Sequence, residues 1–274
     1  MSYSNSKTIV FITGAFVSSS CWDDWKACFE SNGYTCYVPA WPHKNASVAT
    51  LRARQPNPEI ASIRLAQLEE YFANFVQQLP EKPILIGHSM GGLLTQLLLQ
   101  RDLAAAGVAI HSVPPQGVVT FKWSFFRSVW GPLGLFTPLD EAFLMSFGQW
   151  RYAFTNGMPP GQQEAAYERF IIPESKRIAR DGLTSAARVD FDRPHAPLLF
   201  LAGSTDHIIP ASLNYSNFKR YTHVGSVTEY HEFEGRNHFV LGQQTWQEDA
   251  RFILCWLRMQ PAVSQAMKYE DIAI

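Results

Sequence analysis

Along the chain, short aliphatic runs alternate with longer stretches in which apolar residues recur at helical spacing. Thr8-Ile9-Val10-Phe11-Ile12 begins this rhythm as an unbroken β-branched and aromatic run, the pattern of a strand covered on both faces of a parallel sheet. Residues 22–31 then space Trp22, Trp25, Cys28 and Phe29 along one helical stripe, closed by Asn32-Gly33, a helix-stop signal. Residues 35–39 predict a second short strand. Residues 43–58 are polar and punctuated by prolines and predict a long surface loop. Ile60, Ile63, Leu65, Leu68, Tyr71, Phe72, Phe75 and Val76 keep the helical period over 59–79, and Pro80 stops it. A third buried strand follows at 83–87, a leucine-rich helix at 91–106, and a fourth strand at 108–113 that ends against Pro114-Pro115.

The rhythm breaks over 117–192. This stretch is dense in aromatics (Phe121, Trp123, Phe125, Phe126, Trp130, Phe136, Phe143, Phe147, Trp150, Tyr152, Phe154) and predicts irregular helical structure. Strand, helix, strand and helix then return at 197–202, 211–221, 227–233 and 246–259. Such alternation with short connections predicts an α/β fold, a mostly parallel central sheet flanked by helices. The domain organisation expected is a core of residues 1–116 and 193–274, interrupted by an insertion at 117–192. The tail after Pro261 is read as a surface extension without a role.

Composition narrows the function classes. The 274 residues are 46% hydrophobic and 17% charged with a formal net charge of −1, which supplies a core and excludes a disordered chain. A nearly neutral chain has no overall pull on nucleic acid or anionic lipid, so neither is expected as a partner. No apolar run approaches the length that spans a bilayer, so no stable membrane association is expected. Lys7 and the apolar residues 8–17 faintly imitate a secretion signal, but the charged region is weak and the same residues are needed as a strand. Four cysteines (Cys21, Cys28, Cys36, Cys255) form neither a CxxC pair nor a metal-like spacing, and predict buried free thiols in a cytoplasmic protein without metal or cofactor.

One constellation carries chemistry. Gly87-His88-Ser89-Met90-Gly91 fits G-x-S-x-G and lies between a predicted buried strand and a predicted helix. A serine hydroxyl is a weak nucleophile until a base takes its proton, and a tight strand-to-helix turn lifts it clear of the sheet. At Gly87 and Gly91 a Cβ would crowd that turn. Asp206 follows the strand at 197–202 by a short turn, at the sheet edge where ligands gather. His238 lies in a glycine-containing loop just past the strand ending at Phe233. The order serine, acid, histidine assigns Ser89 as nucleophile, His238 as base and Asp206 as the carboxylate that orients it. His207 adjoins Asp206, His231 lies in a strand, and His43, His111, His195 and His223 fall outside the expected loop; His88 is expected to pack behind the turn. Two backbone N–H groups are expected to form an oxyanion hole, Met90 directly after the serine and Ala15 in the loop after the first strand, with Phe16 as the alternative.

With these residues in place, the chain as far as Met259 resembles the α/β-hydrolase superfamily, and within it the bacterial esterase-like hydrolases. The resemblance implies a helical cap inserted after the sixth strand and formed by residues 117–192. Three departures stand out. Thr13 occupies the position before the glycine where many relatives have histidine, the antiparallel strands that often come first are missing, and Phe239 follows the histidine where plant hydroxynitrile lyases have lysine. Serine at the turn implies acyl transfer, unlike the aspartate of epoxide hydrolases and haloalkane dehalogenases. A small-molecule carboxylic ester with an apolar acyl or aryl group is the expected substrate, with Phe16, Trp123, Phe126 and Phe239 lining the pocket. Thioesters, lactones and C–C bonds remain open to the same three residues, and so does a ligand receptor built on the hydrolase fold.

Overall fold

The protein is described by a computed structural model covering residues 6–135 and 137–260. Phe136 and the tail after Pro261 lie outside the described residues. Six strands form one parallel sheet: β1 (Thr8–Ile12), β2 (Thr35–Tyr37), β3 (Ile84–His88), β4 (Ala106–Ile110), β5 (Leu198–Gly203) and β6 (Thr228–Phe233), in the order β2-β1-β3-β4-β5-β6. The chain starts one strand in from an edge, steps outward to β2, then crosses back over β1 to β3 and runs steadily to β6. Connections after β1 and β3 therefore diverge to opposite faces of the sheet. They leave a crevice at the carboxyl edge between those strands.

The helices, in chain order, are α1 (Asp23–Ser31), α2 (Val48–Ala53), α3 (Pro58–Ser62), α4 (Leu65–Gln77), α5 (Met90–Gln100), α6 (Trp123–Leu133), α7 (Phe147–Ala153), α8 (Pro160–Phe170), α9 (Lys176–Asp181), α10 (Ala211–Phe218) and α11 (Trp246–Met259). Strand side chains alternate between the two faces. Ile9 and Phe11 pack with Trp22, Trp25 and Phe29 of the α1 region and with Trp256 of α11. Val10 and Ile12 pack with Phe72 of α4 and with Leu94 and Leu98 of α5. Both faces of the sheet are thus covered, which is why its central strands read as unbroken apolar runs.

Several boundaries move for identifiable reasons. The stretch 43–58 is not simply a surface loop: Ser47 caps α2 by accepting the N–H of Thr50 (3.2 Å), and Leu51 is fully buried. The single helix expected over 59–79 is broken at Ile63 and Arg64, whose backbones are extended. There the Arg64 guanidinium clamps both oxygens of Asp181 (2.7 and 2.8 Å), and Asp181 also accepts the N–H of Leu65 (3.0 Å). α5 stops at Gln100, and Asp102 at φ 57° turns the chain, so Ala106 and Gly107 belong to β4. Of the four cysteines, Cys21 and Cys36 are buried, Cys28 is half-buried and Cys255 is exposed. Residues 117–192, which include α6 to α9, leave the sheet after its fourth strand rather than its sixth, because only β1 to β4 precede them among the described residues. Among the described residues no helix is long and apolar enough to cross a membrane.

Phe11 is completely buried, stacked on Trp22 (ring centroids 4.7 Å apart) and edge-on to Phe29 (5.6 Å). Phe11→Ala is expected to destabilise the fold by about 3–5 kcal/mol through the cavity it leaves. Urea unfolding at an unchanged m-value would show this as a lowered midpoint.

Candidate active site

Ser89 joins β3 to α5 in a backbone conformation (φ 57°, ψ −116°) that a non-glycine residue rarely adopts. It is held there from three sides. Its N–H donates to the carbonyl of Ile110 (2.9 Å), and its own carbonyl accepts from Gly92 (3.0 Å) and from Val113 (3.0 Å). α5 lies so close to β1 that a Cβ on Gly91 would fall 2.0 Å from the carbonyl oxygen of Ile12, so only glycine lets the helix pack there. As the first residue of α5, Met90 has no carbonyl within its helix to bond, so its N–H is part of the dipole-positive end of the helix beside Ser89.

The three side chains singled out from the sequence converge. Ser89 Oγ–H donates to His238 Nε2 (2.9 Å), and His238 Nδ1–H donates to Asp206 Oδ2 (2.7 Å). All three groups are buried, at 5%, 0% and 4% exposure, with little water to weaken the contacts between them. Asp206 Oδ1 accepts the N–H groups of Ile208 and Ile209 (2.8 Å each) in the turn after β5. The His238 loop is fixed by Asn237, which donates to the carbonyl of Asn156 (2.9 Å) and accepts from Phe239 N–H (3.0 Å). Phe154 lies edge-on to the His238 ring at 4.9 Å. A hydroxyl, an imidazole and a carboxylate in this order can draw off the hydroxyl proton as its oxygen attacks a carbonyl carbon.

Two further histidines complete the cluster. His111, just past β4, donates from Nδ1 to the same Oδ2 of Asp206 (2.8 Å). Burial alone would raise the Asp206 carboxyl, but the His238 and His111 rings and their hydrogen bonds outweigh it and hold the group well below the usual carboxylate range. His88 donates from Nε2 to the carbonyl of His238 (2.8 Å), and its ring lies 4.8 Å from the His238 ring. Burial and the neighbouring histidines push His88 well below its ordinary pKa, so it stays neutral. His111, Asp206 and His238 together offer three ligand-type atoms within 4.8 Å of one another, and two direct N–H to carboxylate bonds join them.

Above Ser89 and His238 opens a cavity of about 230 Å³, walled mainly by Phe16, Met90, Phe125, Phe126, Phe154 and Ile209. Ala15 also lines it, in a loop so near the serine that a Cβ on Gly14 would fall 2.8 Å from the Ser89 Cβ. Phe16 N–H is engaged elsewhere, donating to Glu174 Oε2 (3.0 Å), which removes it as an alternative to Ala15.

Over residues 9–249 the sequence matches the profile of the alpha/beta hydrolase family. The chain belongs to that family. In structure it is similar to polyneuridine aldehyde esterase, at a TM-score of 0.67 and 15% identity over 92% of this chain and 99% of that one. It is similar also to a methylesterase from Arabidopsis (TM-score 0.64, 15% identity, 92% and 98% covered). A pyrethroid hydrolase from Sphingobium faniae gives a TM-score of 0.61 at 18% identity, again with 92% and 98% covered. At such identities the likeness is one of fold. No curated protein matches the chain by sequence.

This α/β hydrolase departs from the sequence expectations at the pocket. Trp123 is 75% exposed and absent from the cavity wall, because the inward stripe of α6 is Phe125, Phe126, Val129, Pro132 and Leu133. Phe239 is buried behind the cavity against Trp150 and Phe170 instead of lining it. His111 was passed over because it lies outside the histidine loop, although its place at the carboxyl end of β4 puts it on the same sheet edge as Ser89 and Asp206. Glu174, which holds the Phe16 N–H, carries no motif at all.

The neutral His88 ring gives a pH prediction with a definite sign. Below about pH 6.5 the unfolded chain protonates this histidine while the folded protein does not. The unfolded state then binds more protons, so stability falls with acidification until the depressed folded-state pKa is reached. In His88→Gln, urea unfolding between about pH 6.5 and 5 is expected to show a shallower fall, by up to about 1.4 kcal/mol per pH unit. An unchanged slope would refute the assignment.

Proposed function

We propose that this α/β hydrolase cleaves carboxylic esters of small molecules with an apolar acyl or aryl group, through an acyl-enzyme on Ser89. The observation that carries the reading is the Ser89–His238–Asp206 line, with hydrogen bonds of 2.9 and 2.7 Å, at the floor of an apolar cavity. Ser89 attacks the ester carbonyl as His238 takes its proton, and Asp206 holds the imidazole in the tautomer that leaves Nε2 free to do so. The N–H groups of Met90 and Ala15 stabilise the oxygen as it becomes negative. His238 returns the proton to the departing alcohol and then activates the water that releases the acid.

Residues 117–192 act as the cap, since Phe125, Phe126, Val129 and Ile178 from α6 and α9 roof the cavity. Apolar walls bind an acyl chain or ring without specific donors, and the confined volume favours small groups. Esters fit this machinery better than amides because an alkoxide needs no further assistance to leave. Three of the similar structures are named an esterase, a methylesterase and a pyrethroid hydrolase, which agrees with ester chemistry on this fold. Thioesters, lactones and activated C–C bonds are the competing substrates for the same residues.

A panel of p-nitrophenyl esters of graded chain length, with one thioester and one lactone, tests the proposal. Short and medium acyl esters are expected to turn over fastest, and Ser89→Ala to lower kcat by roughly 10⁴–10⁶-fold. Hydrolysis that survives loss of the Ser89 hydroxyl, or an intact protein that turns over no ester, would sink the reading.

A further inference from the structure

Behind the loop that carries Ala15 lies a buried ion pair that the reaction above leaves without a role. Glu174, just before α9, meets Lys44, from the turn after β2, at 2.5 Å, and the two side chains are 0% and 5% exposed. Glu174 Oε2 also accepts the N–H of Phe16 (3.0 Å), and Oε1 accepts that of Ser175 (2.8 Å). Lys44 Nζ sits 4.1 Å above the Trp41 ring. Burial lowers the pKa of the Lys44 ammonium, and the facing carboxylate opposes that shift. Removing two charges from water is costly, and apolar residues of similar size would pack as well. Stability alone does not account for the pair. What sets it apart is that it brings an ionised carboxylate to the amide of Phe16, in the loop beside Ser89.

That amide belongs to a strained residue. Phe16 has φ 70°, in the left-handed region that an aromatic residue occupies only under constraint. Its carbonyl accepts the N–H of Ile172 (2.8 Å), Val17 bridges Ile171 in antiparallel fashion, and Ser18 N–H donates to Phe170 (2.8 Å). Glu174 is itself anchored by a two-way backbone pairing with Phe143 (2.7 and 2.9 Å). A charge-assisted hydrogen bond is roughly twice as strong as a neutral one, which suits it to hold a backbone away from its preferred state. With its N–H and C=O both fixed, Phe16 locks the peptide plane that follows Ala15.

We propose that Glu174, itself held by Lys44, is a positioning residue for the reaction: it fixes the Ala15–Phe16 peptide and with it the Ala15 Cα, from which the adjoining Gly14–Ala15 peptide points its Ala15 N–H at the developing oxyanion. This rests on the ester-cleaving assignment of Ser89. Glu174 also borders the cavity, but its oxygens are engaged by Lys44 and by the N–H groups of Phe16 and Ser175, so the specific expectation is that the pair acts on the transition state and changes ground-state substrate binding little.

Kinetics on a p-nitrophenyl ester, and inhibition by a trifluoromethyl ketone that forms an oxyanion-bearing adduct with Ser89, test this in wild type, Ser89→Ala, Glu174→Asp and the double variant Lys44→Met/Glu174→Gln. The double variant leaves no lone buried charge, and Glu174→Asp keeps the charge beside Lys44 while shortening its reach. In both, kcat is expected to fall by roughly ten- to a hundredfold, a part of what losing an oxyanion donor costs, with KM within about twofold. Ketone affinity should fall by the same factor as kcat. If the double variant does not fold, Glu174→Asp carries the same comparison. Wild-type kcat and ketone affinity in the folded variants, or a raised KM at unchanged kcat, would overturn the inference alone, provided the wild type is active and Ser89→Ala is not. An inactive wild type, or an active Ser89→Ala, would overturn the ester-cleaving assignment with it.

Discussion

The tight passage of residues 87–91 over the end of β1 is the constraint from which the site follows. α5 can approach the sheet only because Gly91 has no side chain to meet the carbonyl of Ile12. That approach forces Ser89 into its left-handed conformation, and the conformation lifts the hydroxyl above the carboxyl edge of the sheet. The strain persists because the surroundings over-determine it: Ile110 holds the amide, while Gly92 and Val113 hold the carbonyl. Once the hydroxyl is fixed there, the turns after β5 and β6 need only bring a carboxylate and an imidazole to the same edge, two and three strands away.

Electrostatics at that edge centre on one oxygen. Asp206 Oδ2 accepts from two imidazoles at once, and Oδ1 accepts from two backbone amides, so a fully buried carboxylate has every lone pair engaged. The arrangement keeps the group ionised where burial alone would favour the acid. His88 has the opposite task. It stays neutral beside His238 and anchors the backbone carbonyl of the residue whose ring bonds the Ser89 hydroxyl.

Much of this was legible in the residues because the information was local. The central strands are nearly uninterrupted apolar runs, α11 keeps its period from end to end, and the serine motif is five consecutive residues. Asp206 and His238 could be placed because each follows a recognisable strand by a short turn. What could not be read depends on partners far away in the chain. The break between α3 and α4 comes from Asp181, 117 residues beyond Arg64, and overrides an unbroken helical period. Lys44 and Glu174 are 130 residues apart, in segments that read as loop and as irregular helix. Trp123 and Phe239 were misplaced for a related reason: aromatic content marks a segment as apolar but does not say which side of a helix or loop faces the cavity.

The segment between β4 and β5 is stitched to the body of the protein at several points by main chain: Phe154 to Phe239, Phe170 to Ser18, and Ile172 to Phe16. Asn156 ties it to the histidine loop as well. Lifting that portion would pull apart the contacts that hold the His238 loop and the Phe16 backbone, so the segment cannot move as one piece without disturbing the Ser89–His238–Asp206 hydrogen bonds. α6 is fastened by side chains instead, through Ser128 to the carbonyl of His207, Arg127 over Tyr152, and Arg180 to the carbonyl of Leu133. Rotamer changes release such ties without unpairing any backbone. A shift of α6, whose Phe125 and Phe126 line the cavity, would therefore reshape that cavity at less cost than any movement of the rest of the segment.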